Sequence, residues 1–594
     1  MDRRTNDTRL GRFGLNHPLV LPFSHSLIHL PRPVLPVTTL SVYRLATILD
    51  NPGEPEAATR YRDAAELKAL GYSDLVLFGT TALSGVERPD VVADAEVRRW
   101  VAQHFETVQR RIAEARAADL GVYLAYDVLS LAVDTVREQQ EAVCCKNDPD
   151  MLCPASDAAL GRSVASLEAL LEQLPAVEGV VLRFGDNDAG RMPHLVGNDI
   201  YQPHCARCSQ LGRAQRIGQV IDAFYDQVVQ RRSKRLIVRA WNVRPRGLHD
   251  SGDLCRRVVA ALPGTADDDR LILSFKFTHT DFWRYQRWNP PSLHTGGRPL
   301  IYELECQREY EGKGTIPNWQ APLWRDGAPE CDGPAGAGLD VVRDAVNLVG
   351  LWAWVRGGGW GGPFVKDESW IDANAFAVPR LADDPSTHCD ELAGAWIAQR
   401  LGVEDEALVT AIRRVLENSP ETVREAFYIG PFARRRDDPW HPSADWIQDD
   451  VLDAEAAWRM IQPLPESVLD EVVDEKRAAV ERLAGDSVAM HRAVSERTRR
   501  CVEPLLSSLV YAESLLRVLH HLVAGFVAYR RFKEQPHDLQ RQRCRRHLVD
   551  AQSHWTQHTQ QHAGQPGAGT PFREKHFWRL TQMMLAEVVV GDEE

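Results

Sequence analysis

The sequence holds little that would tie the protein to nucleic acid, a membrane or the secretory route. Its formal net charge is −13, which argues against a general nucleic-acid partner. No run of about 18 apolar residues occurs, so no membrane-spanning segment is expected. The opening Met1-Asp2-Arg3-Arg4 is not followed by an uninterrupted apolar stretch. A secretory signal is therefore not expected, and the cytoplasm is the default address. Cysteine is sparse, 11 in 594 residues, and without a signal these read as reduced thiols or metal ligands. No G-x-G-x-x-G follows an early strand, which weakens a dinucleotide-binding fold, and the glycine-rich run at 357–362 lacks the Lys-Ser/Thr of a P-loop.

What is present is an alternation of two textures. Short β-rich apolar runs fall at 38–45, 74–78, 122–126, 179–183, 235–241, 271–277, 299–306 and 348–355. Between them lie helical patterns, among them 92–118, 157–174, 212–230 and 339–347. Eight strands alternating with helices predict an α/β protein of the (β/α)8 TIM-barrel class, with a doubly wound open sheet as the alternative. Residues 1–35 read as a lead-in segment and 36–380 as the barrel. From 381 to 594 helical periodicity takes over and predicts an α-helical C-terminal domain. Its clearest stretch, 502–529, carries Leu505, Leu506, Leu509, Leu515, Leu516, Leu519 and Leu522. That face fits either a core or a homodimer contact.

Barrel enzymes carry their chemistry at the C-terminal ends of the strands. Strand four ends in Arg183, with Asp186 and Asp188 just beyond, and strand five ends in Arg239-Ala240-Trp241. Strand six carries Lys276 and leads to Asp281; strand seven leads to Glu309-Tyr310; strand eight runs into the glycines around Trp360. Carboxylates, cations and aromatics on one rim suit glycoside hydrolysis, which needs two carboxyl groups about the scissile bond. Trp241, Trp360 and other rim aromatics would stack on sugar faces, and Lys276 and Arg239 suit a sugar bearing a carboxylate. A lysine inside the apolar strand Phe275-Lys276-Phe277 needs a partner if it is buried.

The stretch Ser274-Phe275-Lys276-Phe277-Thr278-His279-Thr280-Asp281-Phe282, followed by Gln307-Arg308-Glu309-Tyr310-Glu311-Gly312, resembles signatures of the microbial α-glucuronidases of glycoside hydrolase family 67. Arg239-Ala240-Trp241 and Asn374-Ala375-Phe376 agree in order with further family motifs. The resemblance implies an inverting exo-glycosidase that releases a uronic acid from short oligosaccharides and needs no cofactor. Asp281 and Glu309 would position and deprotonate the attacking water, and Lys276 and Arg239 would bind the uronate, with Arg183, Trp241, Tyr310 and Trp360 lining the pocket. The family's acid is a glutamate after strand four; here Asp186 or Asp188 stands nearest. Two other readings stay open. A glycosidase of the same fold acting on a neutral sugar would have Lys276 and Arg239 consumed by protein carboxylates. A non-catalytic carbohydrate-binding barrel would turn neither Asp186 nor Asp188 to the cleft.

One further pattern stands apart. Cys205-Ala206-Arg207-Cys208 is a C-x-x-C after strand four, and Cys145 and Cys153 lie on the preceding loop. Adjacent loops could bring these four together as a structural zinc site, as unlinked thiols or as a redox pair.

Overall fold

The computed structural model describes residues 42–590 except 51–55, 57, 186–187, 243–246, 332–337, 359–366, 436–445, 449–450 and 564–572. The lead-in at 1–35, Asp186 and Trp360 thus lie outside the described residues.

Eight parallel strands close into a barrel: β1 Tyr43–Ile48, β2 Asp74–Leu77, β3 Gly121–Asp127, β4 Gly179–Arg183, β5 Arg235–Arg239, β6 Leu271–Lys276, β7 Leu300–Glu305 and β8 Leu348–Arg356. Each pairs with its neighbours in sequence, and β8 returns to β1, Tyr43 beside Gly350. Strands such as Gly-Val-Val-Leu-Arg are buried along their whole length, as expected when a parallel sheet is covered on both faces. The first strand begins later than the apolar pattern at 38–45 suggested, among the residues described. Several of the helices between strands are capped by short polar side chains. Asp94 accepts from the backbone N–H of Glu96 and Val97 ahead of Ala95–Ala117, and Ser156 accepts from Ala159 ahead of Asp157–Gln173. The helix expected at 212–230 runs Arg213–Tyr225 and finishes in a π turn.

Within the barrel the period of two sets polar side chains on the inner face of several strands. Asp127, Arg183, Arg239, Ser274, Lys276, Glu303 and Glu305 are all buried. Register places Arg183 beside Arg239, Ser274 beside Arg239, and Lys276 beside Glu303.

Beyond the barrel come long helices, including Glu406–Phe427, Leu469–Ala493, Arg499–Glu534 and Asp538–His562. They pack on one another and against the β6 and β7 loops. The leucines of Arg499–Glu534 that offered a dimer face are buried within the chain itself. The same helix reaches the barrel: Ser508 accepts from the Trp370 indole at 2.6 Å and donates to the Thr315 carbonyl at 2.8 Å. No helix among the described residues is long and apolar enough to cross a membrane.

Candidate active site

The β6 and β7 ends converge. Lys276, the last residue of β6, bonds to Asp281 five residues on. Its ammonium also stands 4.0 Å from the Trp241 ring centre, 4.3 Å from Phe282 and 4.9 Å from Trp354. Three aromatic faces and one carboxylate therefore answer a cation that is nearly out of water. Asp281 also accepts from the Tyr310 hydroxyl at 2.7 Å and from the Phe282 N–H at 3.0 Å. Trp283 lies flat on Tyr310, ring centres 3.7 Å apart. Burial pushes the Asp281 carboxyl up, but Lys276, Tyr310 and the Phe282 N–H outweigh it and hold the group below its ordinary range.

Glu309 and Tyr310 are aimed by a stiff loop. Arg308 adopts φ +60°, rare for a residue with a side chain, and its guanidinium grips Glu311 with two bonds of 3.0 and 2.8 Å. Glu311 also accepts from Asn318 at 2.6 Å and from Tyr428 at 2.7 Å. Tyr428 follows the helix Glu406–Phe427, and its hydroxyl accepts from the Arg284 N–H on the β6 loop. The helical region thus braces both loops that carry the carboxylates.

Glu305, the last residue of β7, is fully buried. It accepts the Glu309 N–H at 3.0 Å. Burial, reinforced by the nearby Asp281 charge, pushes its carboxyl up to about 8, with Arg308 and the Glu309 N–H opposing. Gly358 lies against this pair. A Cβ there would fall 2.9 Å from both Glu305 Oε1 and Glu309 Oε2, and one at Gly357 would strike the Leu49 carbonyl at 1.9 Å. Both glycines have φ near +95°. They let backbone close over two carboxyl groups that sit together.

On the opposite arc of the rim, Arg183 stands 3.2 Å from Asp127 and donates to Asp188 at 2.8 Å. The Asp188 N–H donates to Asp127 at 2.7 Å, and Thr81 donates to Asp188 at 3.3 Å. Asp188 is committed to this network. Arg239, in register beside Arg183, has its Nε bonded at 3.0 Å to both oxygens of Glu303, which also accepts from Ser274 and the Trp354 indole. Phe78 joins the two arcs: Arg183 lies 5.1 Å over its ring, and the ring is 5.7 Å from Trp354.

Of the residues singled out by sequence, Trp241, Lys276, Asp281, Glu309 and Tyr310 come together. Arg183 and Asp188 form a separate ion network, and Arg239 beside them is bonded to Glu303. Sequence reading missed Glu303, Glu305, Asp127 and Phe78. The alternation Tyr302-Glu303-Leu304-Glu305 was the available signal, since it turns both glutamates to the inner face.

The sequence matches no protein-family model and no curated protein. Among solved structures, the chain is similar to a GH138 enzyme targeting pectin rhamnogalacturonan II, with a TM-score of 0.55. It shares its fold with that enzyme. Identity is 12%, over 93% of this chain and 84% of the other. Two lower-scoring structures are a variant of Thermobaculum terrenum O-GlcNAc hydrolase (TM-score 0.40, 9% identity, 93% of this chain and 94% of that one) and the pneumococcal virulence factor StrH (0.32, 11%, 63% and 92%).

Proposed function

We propose that the protein is a glycoside hydrolase whose chemistry sits at the ends of β6 and β7. One observation carries the reading: two carboxyl groups on the same rim are driven in opposite directions. Asp281 is held ionised by Lys276 and Tyr310, while Glu305 keeps a proton to about pH 8. Hydrolysis of a glycosidic bond needs such a division at a single pH. Inversion also needs room for a water between base and acid, roughly 6.5–9.5 Å. Glu305 and Glu309 stand closer than that, since one point lies 2.9 Å from an oxygen of each. Glu305 holds the proton, and Glu309 beside it is the nearer of the two to solvent. Asp281 is the base that takes a proton from water. We assign the acid role to the Glu305–Glu309 pair rather than to Asp188, which is bonded to Arg183 and Thr81; Asp186 lies outside the described residues. The GH138 enzyme that shares the fold targets a pectin, which agrees with a carbohydrate substrate.

The finer reading is release of a uronic acid with inversion, the sugar carboxylate lying beside Lys276 together with Asp281. A neutral sugar is the second reading, and a specific observation favours it. Lys276 and Arg239 are both bonded to protein carboxylates, as that reading requires. Asp281 is bonded to Lys276, Glu305 and Glu309 lie on the same rim, and Arg308, 3.8 Å from Glu305, is bonded to Glu311. With Lys276 and Arg308 both bonded to carboxylates, the rim has little to hold an anionic sugar.

The test is sugar release from a panel of short uronic and neutral oligosaccharides, with the product anomer read by NMR. Turnover by the wild type and its loss in Asp281→Asn and Glu309→Gln support the proposal. Full turnover in either variant overturns the assignment, and no turnover of any glycoside overturns the enzyme reading. Which half of the panel is cleaved decides the sugar.

A further inference from the structure

We propose that Cys145, Cys153, Cys205 and Cys208 bind one zinc ion that ties the β3 loop to the β4 loop. All four are free thiols, all are buried, and they form a cluster separate from the main apolar core. Their sulfurs lie within 4.8 Å of one another. Cys153 Sγ is 3.8 Å from Cys205 Sγ, which is 3.6 Å from Cys208 Sγ. Four thiolates at about 2.3 Å from a tetrahedral zinc stand about 3.8 Å apart, so the sulfurs already outline the coordination polyhedron.

The two ligand pairs come from different loops. Cys145 ends one strand of the ribbon Cys144–Cys145 with Asp148–Leu152, and Cys153 follows the other. Cys205 and Cys208 bracket the first turn of the short helix Ala206–Ser209. A zinc tetrathiolate carries excess negative charge and needs donors around its sulfurs. They are present. The His204 and Cys205 N–H groups point at Cys208 Sγ at 3.1 and 3.2 Å, and the Arg207 Nε points at Cys153 Sγ at 3.3 Å. Arg207 also bonds to the carbonyls of Ala142 and Cys144, which fixes its charge between the loops. Four protein thiolates leave no position open for water or substrate, so the ion is structural. The strands that feed these two loops end in Asp127 and Arg183, and the β4 loop carries Asp188.

The experiment is elemental analysis of the full-length protein purified from zinc-replete medium, with cobalt(II) exchange on the same preparation. One zinc per chain is expected, and a cobalt form with the strong near-ultraviolet sulfur-to-cobalt absorption of a tetrathiolate. Cys205→Ser with Cys208→Ser should abolish both. The only other cluster of metal-ligating side chains among the described residues, His520, His521 and His547, has no sulfur and gives no such band, so His521→Ala should keep both signals. Zinc at background level, iron in its place, or a cobalt form without the sulfur band would each overturn the proposal. The wild-type spectrum decides even if the cysteine variants do not fold.

Discussion

The two arcs of the barrel rim handle charge in opposite ways. On the β3–β4 arc, Arg183 is matched by Asp127 and Asp188, and each of those carboxylates has a further donor or neighbour inside the network. On the β6–β7 arc, Asp281 holds Lys276, while Glu305, buried beside Glu309 and near Asp281, is forced to keep its proton. A matched network spends its charges on holding backbone in place. A mismatched one leaves proton affinity available for chemistry, and the folded chain sustains it only because stiff loops and the helical region pin the groups together.

The sharpest way to break this contrast is to neutralise each arc in turn. Asp281→Asn or Glu309→Gln should lower turnover by about a thousandfold while leaving the fold intact, measured as initial rates beside circular dichroism, since general acid–base catalysis is worth about 10²–10⁴. Asp188→Asn should do the reverse. It removes one of the two carboxylates that face Arg183, Asp127 remaining at 3.2 Å, and should cost about 2 kcal/mol, read as a shift in the urea midpoint. If Asp188→Asn abolished turnover without moving the midpoint, the comparison between the arcs would be inverted.

A pH series sharpens it further. The Glu305 carboxyl loses its proton near 4.5 when unfolded and near 8 when folded. Between those values the folded state binds the extra proton, so stability falls as pH rises, by up to about 1.4 kcal/mol per pH unit. Glu305→Gln keeps the neutral shape and should flatten that slope, checked by denaturation midpoints from pH 5 to 8 for both proteins. The smallest effect belongs to the matched arc. Thr81→Val removes one bond to Asp188 and should cost about 1 kcal/mol with turnover nearly unchanged.

Much of the barrel was legible in the sequence because parallel strands announce themselves. The run at 179–183 matches β4 end to end, and the other runs differ by a few residues at their ends. Those ends drift because apolar texture continues past the last ladder bond, as at Ala240-Trp241. The pocket was legible where a charged residue interrupts an apolar strand, as Lys276 does. Glu305 was not, because a glutamate near a strand end reads as surface until the inner face is known. The role of the helical region was hidden too. Nothing in the text around Tyr428 says that its hydroxyl will meet Glu311 from more than a hundred positions away.

The seam between β1 and β8 bears on how the protein is made. Tyr43 pairs with Gly350, where a side chain would meet the Tyr43 carbonyl at 2.2 Å. During synthesis the first strand leaves the ribosome long before its partner. Until residues 348–356 emerge, β1 keeps an unpaired edge able to recruit another chain. Closure is then a late step that joins distant parts of the sequence, and such steps are slow. A bulkier residue at 350 would leave the mature pocket residues untouched yet strand the nascent barrel open, so its signature would be aggregation during expression.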